Sequence, residues 1–118
     1  MNGLALTYYA KGQYGEAEEL QVKVLEARKR AYGEYHPETL TSMQNLANTY
    51  HYQGRYELAE ELGKKAVAGQ NRVLGTKHPR TLLSMRNLLA TYKAMGERRK
   101  REYTILADQI AELEKSVT

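Results

Sequence analysis

Cysteine, tryptophan and phenylalanine are absent from these 118 residues, and there are only two prolines. Without cysteine there are no disulfides and no thiolate metal sites, a usage that suits a cytoplasmic location. No apolar run approaches the roughly 20 residues that cross a bilayer, so the reading is no membrane. The opening "MNGLALTYYAKG" lacks the basic start and long apolar core of a signal peptide. Also missing are a glycine-rich phosphate loop, a Cys or Ser nucleophile constellation and an HExxH. The expectation is therefore no enzyme, no cofactor and no metal.

One absence is local. Residues 75–96 contain no acid but carry Lys77, Arg80, Arg86 and Lys93. Elsewhere basic and acidic residues nearly balance, so the net charge of +4 falls in this window. The remaining composition, 42% hydrophobic and 27% charged, is that of a foldable chain.

What is present is repetition with an offset of 42 residues. Gly12, Gly54 and Gly96 align, as do Leu4, Leu46 and Leu88, and Tyr8, Tyr50 and Tyr92. Residues 33–54 and 75–96 share 12 of 22 positions, His36-Pro37 and His78-Pro79 among them. "YxxAEEL" recurs at 14–20 and 56–62. Leu40, Met43, Leu46, Ala47 and Tyr50 fall on one helical face. Pro37 suits a first helical turn, and Gly54 a left-handed helix end. On the second helix Tyr56, Ala59, Leu62, Ala66 and Val73 make the inner side, where small Ala59 permits close approach. This predicts helices at about 1–11, 14–31, 37–53, 56–73, 79–95 and 97–116. The units are a truncated repeat over 1–32, a full one over 33–74, and a third over 75–118. Neither helix of a unit can bury its stripe alone, so the units must stack.

The chain resembles tetratricopeptide repeats of the 42-residue kind found in kinesin light chains and in fungal NACHT or NB-ARC sensor proteins. The residues that carry the likeness are "NLANTYHYQGRYELAEEL" and "RVLGTKHPRTLLSMRNLLATY". The resemblance implies an all-α solenoid of about six antiparallel helices, three hairpins in a right-handed superhelix. It also implies a non-catalytic scaffold whose concave groove, lined by the first helices, binds a peptide or protein segment.

Two departures stand out. The first copy lacks "HPxTL" and has Gly3 where asparagine recurs, so an apolar face lies open that an upstream repeat would cover. In the third copy, adding 42 to Tyr56, Ala59, Leu62 and Ala66 lands on Arg98, Arg101, Thr104 and Asp108, which cannot form that seam. The apolar stripe runs instead through Tyr103, Leu106, Ile110, Leu113 and Val117, and a shift of two residues would restore the register. Two readings follow: a capping helix that packs inward, or a seam for self-association that makes a homo-oligomer.

His36 and His78 recur without a second ligand at metal spacing, which favours a structural role. "ERRKRE" at 97–102 is bracketed by acids and has no interleaved aromatics, so nucleic-acid binding is disfavoured. The asparagine before "LA" is the polar residue with least packing reason to recur. In similar repeats it points into the groove and bonds the backbone of an extended peptide, which implicates Asn45 and Asn87. Asn48 and Tyr52 continue the stripe from Asn45, with Gln44 beside it. The expected groove is thus Gln44, Asn45, Asn48, Tyr52, Arg86, Asn87 and Lys93, with Lys77 and Arg80 at its rim. The surplus charge favours an acidic partner. The competing role for the asparagines is capping or bridging neighbouring helices within the array.

Overall fold

The computed structural model describes residues 14–116. These form α1 (Tyr14–Tyr32), α2 (Pro37–Tyr52), α3 (Tyr56–Leu74), α4 (Pro79–Met95), a 3-10 turn (Gly96–Arg99) and α5 (Lys100–Ser116). Each helix packs on the next in sequence, and α2 also touches α4. The architecture is all-α. The expected count of six helices in three hairpins is corrected. Among the described residues there are five α-helices, making the complete hairpins α2–α3 and α4–α5, with α1 packed on α2. The helix expected over 1–11 lies outside the described residues, and the one expected over 97–116 divides into the 3-10 turn and α5.

Both first helices start in the same way. His36 and His78 are extended, each followed by proline, and each imidazole Nδ1 accepts the amide N–H two residues on, at 3.1 Å. Histidine here is an N-cap, a role that oxygen side chains usually fill. The helices end on glycines with positive φ, Gly54 at 79° and Gly96 at 72°, a backbone conformation that residues with a Cβ rarely adopt.

Two apolar clusters hold the stack. Leu25, Leu40, Met43, Leu46 and Ala66 form one, flanked by Tyr50 and Leu62. Leu82, Met85, Leu88, Tyr92, Met95, Leu106 and Ile110 form the other. Ala59 and Ala66 are buried, as their spacing predicts, whereas Val73 is exposed. The closest approach is at Gly69, where an added Cβ would lie 2.4 Å from Leu40 Cδ2.

The shift of two residues in the third unit has a visible cause. One residue, Arg55, separates Gly54 from α3, whereas the 3-10 turn puts three between Gly96 and α5. The extra two are wound into the turn, and beyond it each residue answers one 44 positions earlier. Leu62 corresponds to Leu106, Ala66 to Ile110 and Gly69 to Leu113. The polar contacts follow the same rule. Arg55 meets Glu18 at 2.8 Å, and Arg99 grips both oxygens of Glu60 at 3.0–3.1 Å. That grip raises the Arg99 pKa, through the hydrogen bonds and then the charge of Glu60. Next to it, Arg98 bonds Glu57 and lowers its pKa.

Candidate peptide-binding face

At 100° per residue, Thr41, Asn45, Asn48 and Tyr52 fall on one stripe of α2. Asn45 and Tyr52 are exposed, Tyr52 at 54%, while Thr41 and Asn48 are half-buried. The corresponding stripe on α4 is Leu83, Asn87, Ala90 and Ala94. Leu83 is 48% exposed, a large apolar residue left in water, Ala90 and Ala94 are exposed, and Asn87 is half-buried.

Two hydrogen bonds tie these helices together. Arg80 donates to the Thr41 hydroxyl at 3.1 Å near their first turns. Near their last turns, His51 Nδ1 and Thr91 Oγ1 lie 3.0 Å apart. Burial lowers the His51 pKa, favouring the neutral imidazole in the folded chain. Between them is a crevice of about 10 Å³ lined by Gln44, Asn48, Asn87 and Thr91 among others. That is about enough for a single water and too little for a side chain. Any ligand must lie along the face rather than plug into it.

The predicted groove residues separate into three groups. Asn45, Asn48 and Asn87 have side-chain amides that make no hydrogen bond among the described residues. The alternative that they bridge helices within the array finds no bond to support it. Gln44 is corrected: it is 5% exposed, and its oxygen accepts from Gln70 at 3.3 Å. Gln70 in turn accepts from the Ser84 hydroxyl, so these three side chains lock α2, α3 and α4 together. Gln44 stands about 40° around the helix from Asn48, on the side facing the stack.

Arg86 and Lys93, the repeat counterparts of Gln44 and His51, are exposed on the side of α4 toward α5. Arg86 is paired with Glu114 of α5. Lys93 borders a different cavity with Tyr92, Lys100 and Tyr103. Lys77 is exposed in the loop before α4, and Arg80 reaches Thr41. Of the stripe offered for self-association, Leu106 and Ile110 are buried against α4, with Tyr103 and Leu113 packed beside them. Val117 lies outside the described residues. Leu83 and Ala90 lie beside Asn87 on the stripe that the 42-residue offset gives for the third unit, and Ala94 was missed as a face residue. Its position opposite Tyr52 at the same offset could have found it.

A stack of helical hairpins with a partly polar face along its first helices defines a helical-repeat protein. The family model of the tetratricopeptide repeat matches residues 1–72 and 53–100, and the chain belongs to that family. Among solved structures it is similar to a Podospora anserina protein assigned to the kinesin light chains, with nearly identical TPR-like repeats. The identity is 31%, the TM-score 0.88, and the match covers 98% of this chain and 54% of that one. A single-substitution variant of that protein matches to the same extent. The chain is also 53% identical over 36 residues to a nucleotide-binding leucine-rich repeat (NLR)-like protein of Hyaloscypha variabilis. That match covers 30% of this chain and 4% of the fungal protein. The chain thus spans about half the length of the solved relatives and a small part of the longer one.

Proposed function

We propose that the chain is a non-catalytic scaffold that binds an extended protein segment across the stripes of α2 and α4, in the cytoplasm. The observation that carries this reading is the set of uncommitted amides at Asn45, Asn48 and Asn87 beside exposed Tyr52 and Leu83. An amide offers both donor and acceptor, so it can bond a peptide unit whatever the ligand's side chains. Tyr52 and Leu83 add apolar area at opposite ends of the face. Acidic character in the ligand would answer Arg80 and Lys77 at the loop end, with Lys93 further round α4. Arg86 contributes less, because Glu114 already neutralises it.

The test is selection of displayed peptides on the folded chain, followed by affinity measurements on variants. Asn48→Ala with Asn87→Ala should weaken the selected peptides about tenfold, the loss of about two hydrogen bonds. Arg80→Glu should weaken acidic peptides more than neutral ones. Peptides that bind both variants as tightly as the parent would overturn the assignment.

A further inference from the structure

A second concavity lies away from the amide face, between α3, the loop before α4, and α5. It encloses about 480 Å³, within the range of ligand sites. Its floor is apolar, from Val67, Met85, Leu106 and Leu113. Asp108 and Glu112, one turn apart on α5, stand in its wall, and neither forms an ion pair among the described residues. The opposite wall holds Asn71 and Thr76, bonded to each other. Thr81 also lines it, at 0% exposure, with a hydroxyl that has no hydrogen-bond partner among the described residues.

The repeat supplies an internal comparison. The corresponding concavity one unit earlier is lined by Glu34, Tyr35, Leu40, Met43, Lys65, Ala68, Gly69 and Arg72, and holds about 220 Å³. Lys65 there answers Gln109, and Ala68 answers Glu112. Arg72 covers the Tyr35 ring at 4.7 Å and so closes part of that space. The same architectural groove is basic and smaller in one unit, acidic and larger in the next.

We propose that the acidic groove is a second docking site, for a partner segment that carries aliphatic side chains beside lysine or arginine. The apolar floor takes the aliphatic part and the stem of the basic side chain, since long cations lay their methylenes on apolar surface. The Asp108 and Glu112 carboxylates receive the charged head. This site would operate alongside the amide face and does not depend on it.

The probe is a labelled synthetic peptide of alternating leucine and lysine, titrated into the chain by fluorescence anisotropy and mapped by amide chemical shifts. Binding is expected, with shifts at Val67, Asn71, Met85 and Leu113. A leucine–glutamate peptide should not bind. Asp108→Lys with Glu112→Lys should weaken binding about tenfold or more, as two charge pairs are lost and reversed. The isosteric pair Asp108→Asn and Glu112→Gln gives the same direction if the reversed variant loses helix content. Asn48→Ala with Asn87→Ala should leave this binding unchanged, which separates the site from the amide face. No binding, shifts confined to α2 and the exposed side of α4, or equal affinity in the carboxylate variants would each overturn the proposal.

Discussion

The hairpins α2–α3 and α4–α5 descend from one repeat, yet they close with different chemistry. In the first, the second helix offers Ala59, Ala66 and Gly69 to its partner, and Gly69 lets Leu40 sit where a Cβ would be. In the second, the same three places hold Tyr103, Ile110 and Leu113. The polar contact changes in parallel. Gln44 and Gln70 make a buried amide pair that reaches on to Ser84, whereas Arg86 and Glu114 make an exposed ion pair. The first hairpin is sandwiched between α1 and α4, so its helices must be slim on both sides and its buried amides are paired within the stack. Among the described residues α5 packs on α4 and the 3-10 turn, so bulky side chains and solvated charges fit there.

The largest effect should come from making the two hairpins alike. Gly69→Leu would drive a side chain into Leu40 and cost about 3 kcal/mol, measured by urea unfolding. Leu113→Ala removes a partly buried side chain at the matching place and should cost about 1 kcal/mol. Equal costs would show that the two seams tolerate bulk equally, against the comparison. A smaller contrast is expected between the polar links. Gln70→Ala strands the buried polar groups of Gln44 and Ser84 and should destabilise by about 2 kcal/mol, independent of salt. Glu114→Ala breaks a pair whose partners are about half exposed, and should cost under about 1 kcal/mol, less in high salt.

The smallest effect concerns His51, whose counterpart in the third unit is Lys93. Burial places the folded-state pKa of His51 below its ordinary 6.5, so the unfolded chain takes up the proton more readily. The stability contributed by neutral His51 is complete above about pH 6.5 and is lost as pH falls through the folded value. Unfolding midpoints measured from pH 7.5 to 5 should drop more steeply for the parent than for His51→Gln, which can still bond Thr91. Parallel profiles would show that the His51–Thr91 link does not sense pH.

Much of this was legible from the 42-residue offset. The helix starts at Pro37 and Pro79, the buried stripes of α2 and α4, and the displaced register of α5 all follow from periodicity and turn residues. Spatial charge was not legible. Residues 75–96 carry four cations and no acid as a string, but α5 folds back and sets Glu114 against Arg86, so one of the four is neutralised in space. Nor could spacing distinguish Gln44 from Asn48. They are four residues apart on one helix, and only the arrival of Gln70 from α3 decides which amide is consumed by the stack. The count of hairpins rested on the first eleven residues, outside the part described.

The 3-10 turn at Gly96–Arg99 has a consequence for anyone splicing such arrays. Two residues are inserted between the helices of a hairpin, yet the arginine that follows still closes on the glutamate of the previous unit. The joint behaves as an adjustable coupling: slack is taken up locally, and the clasp beyond it stays aligned. Grafted repeats should therefore be joined by matching Arg55–Glu18 to Arg99–Glu60, not by counting 42. A graft cut by the count alone would put Glu97 where the clasp needs a cation.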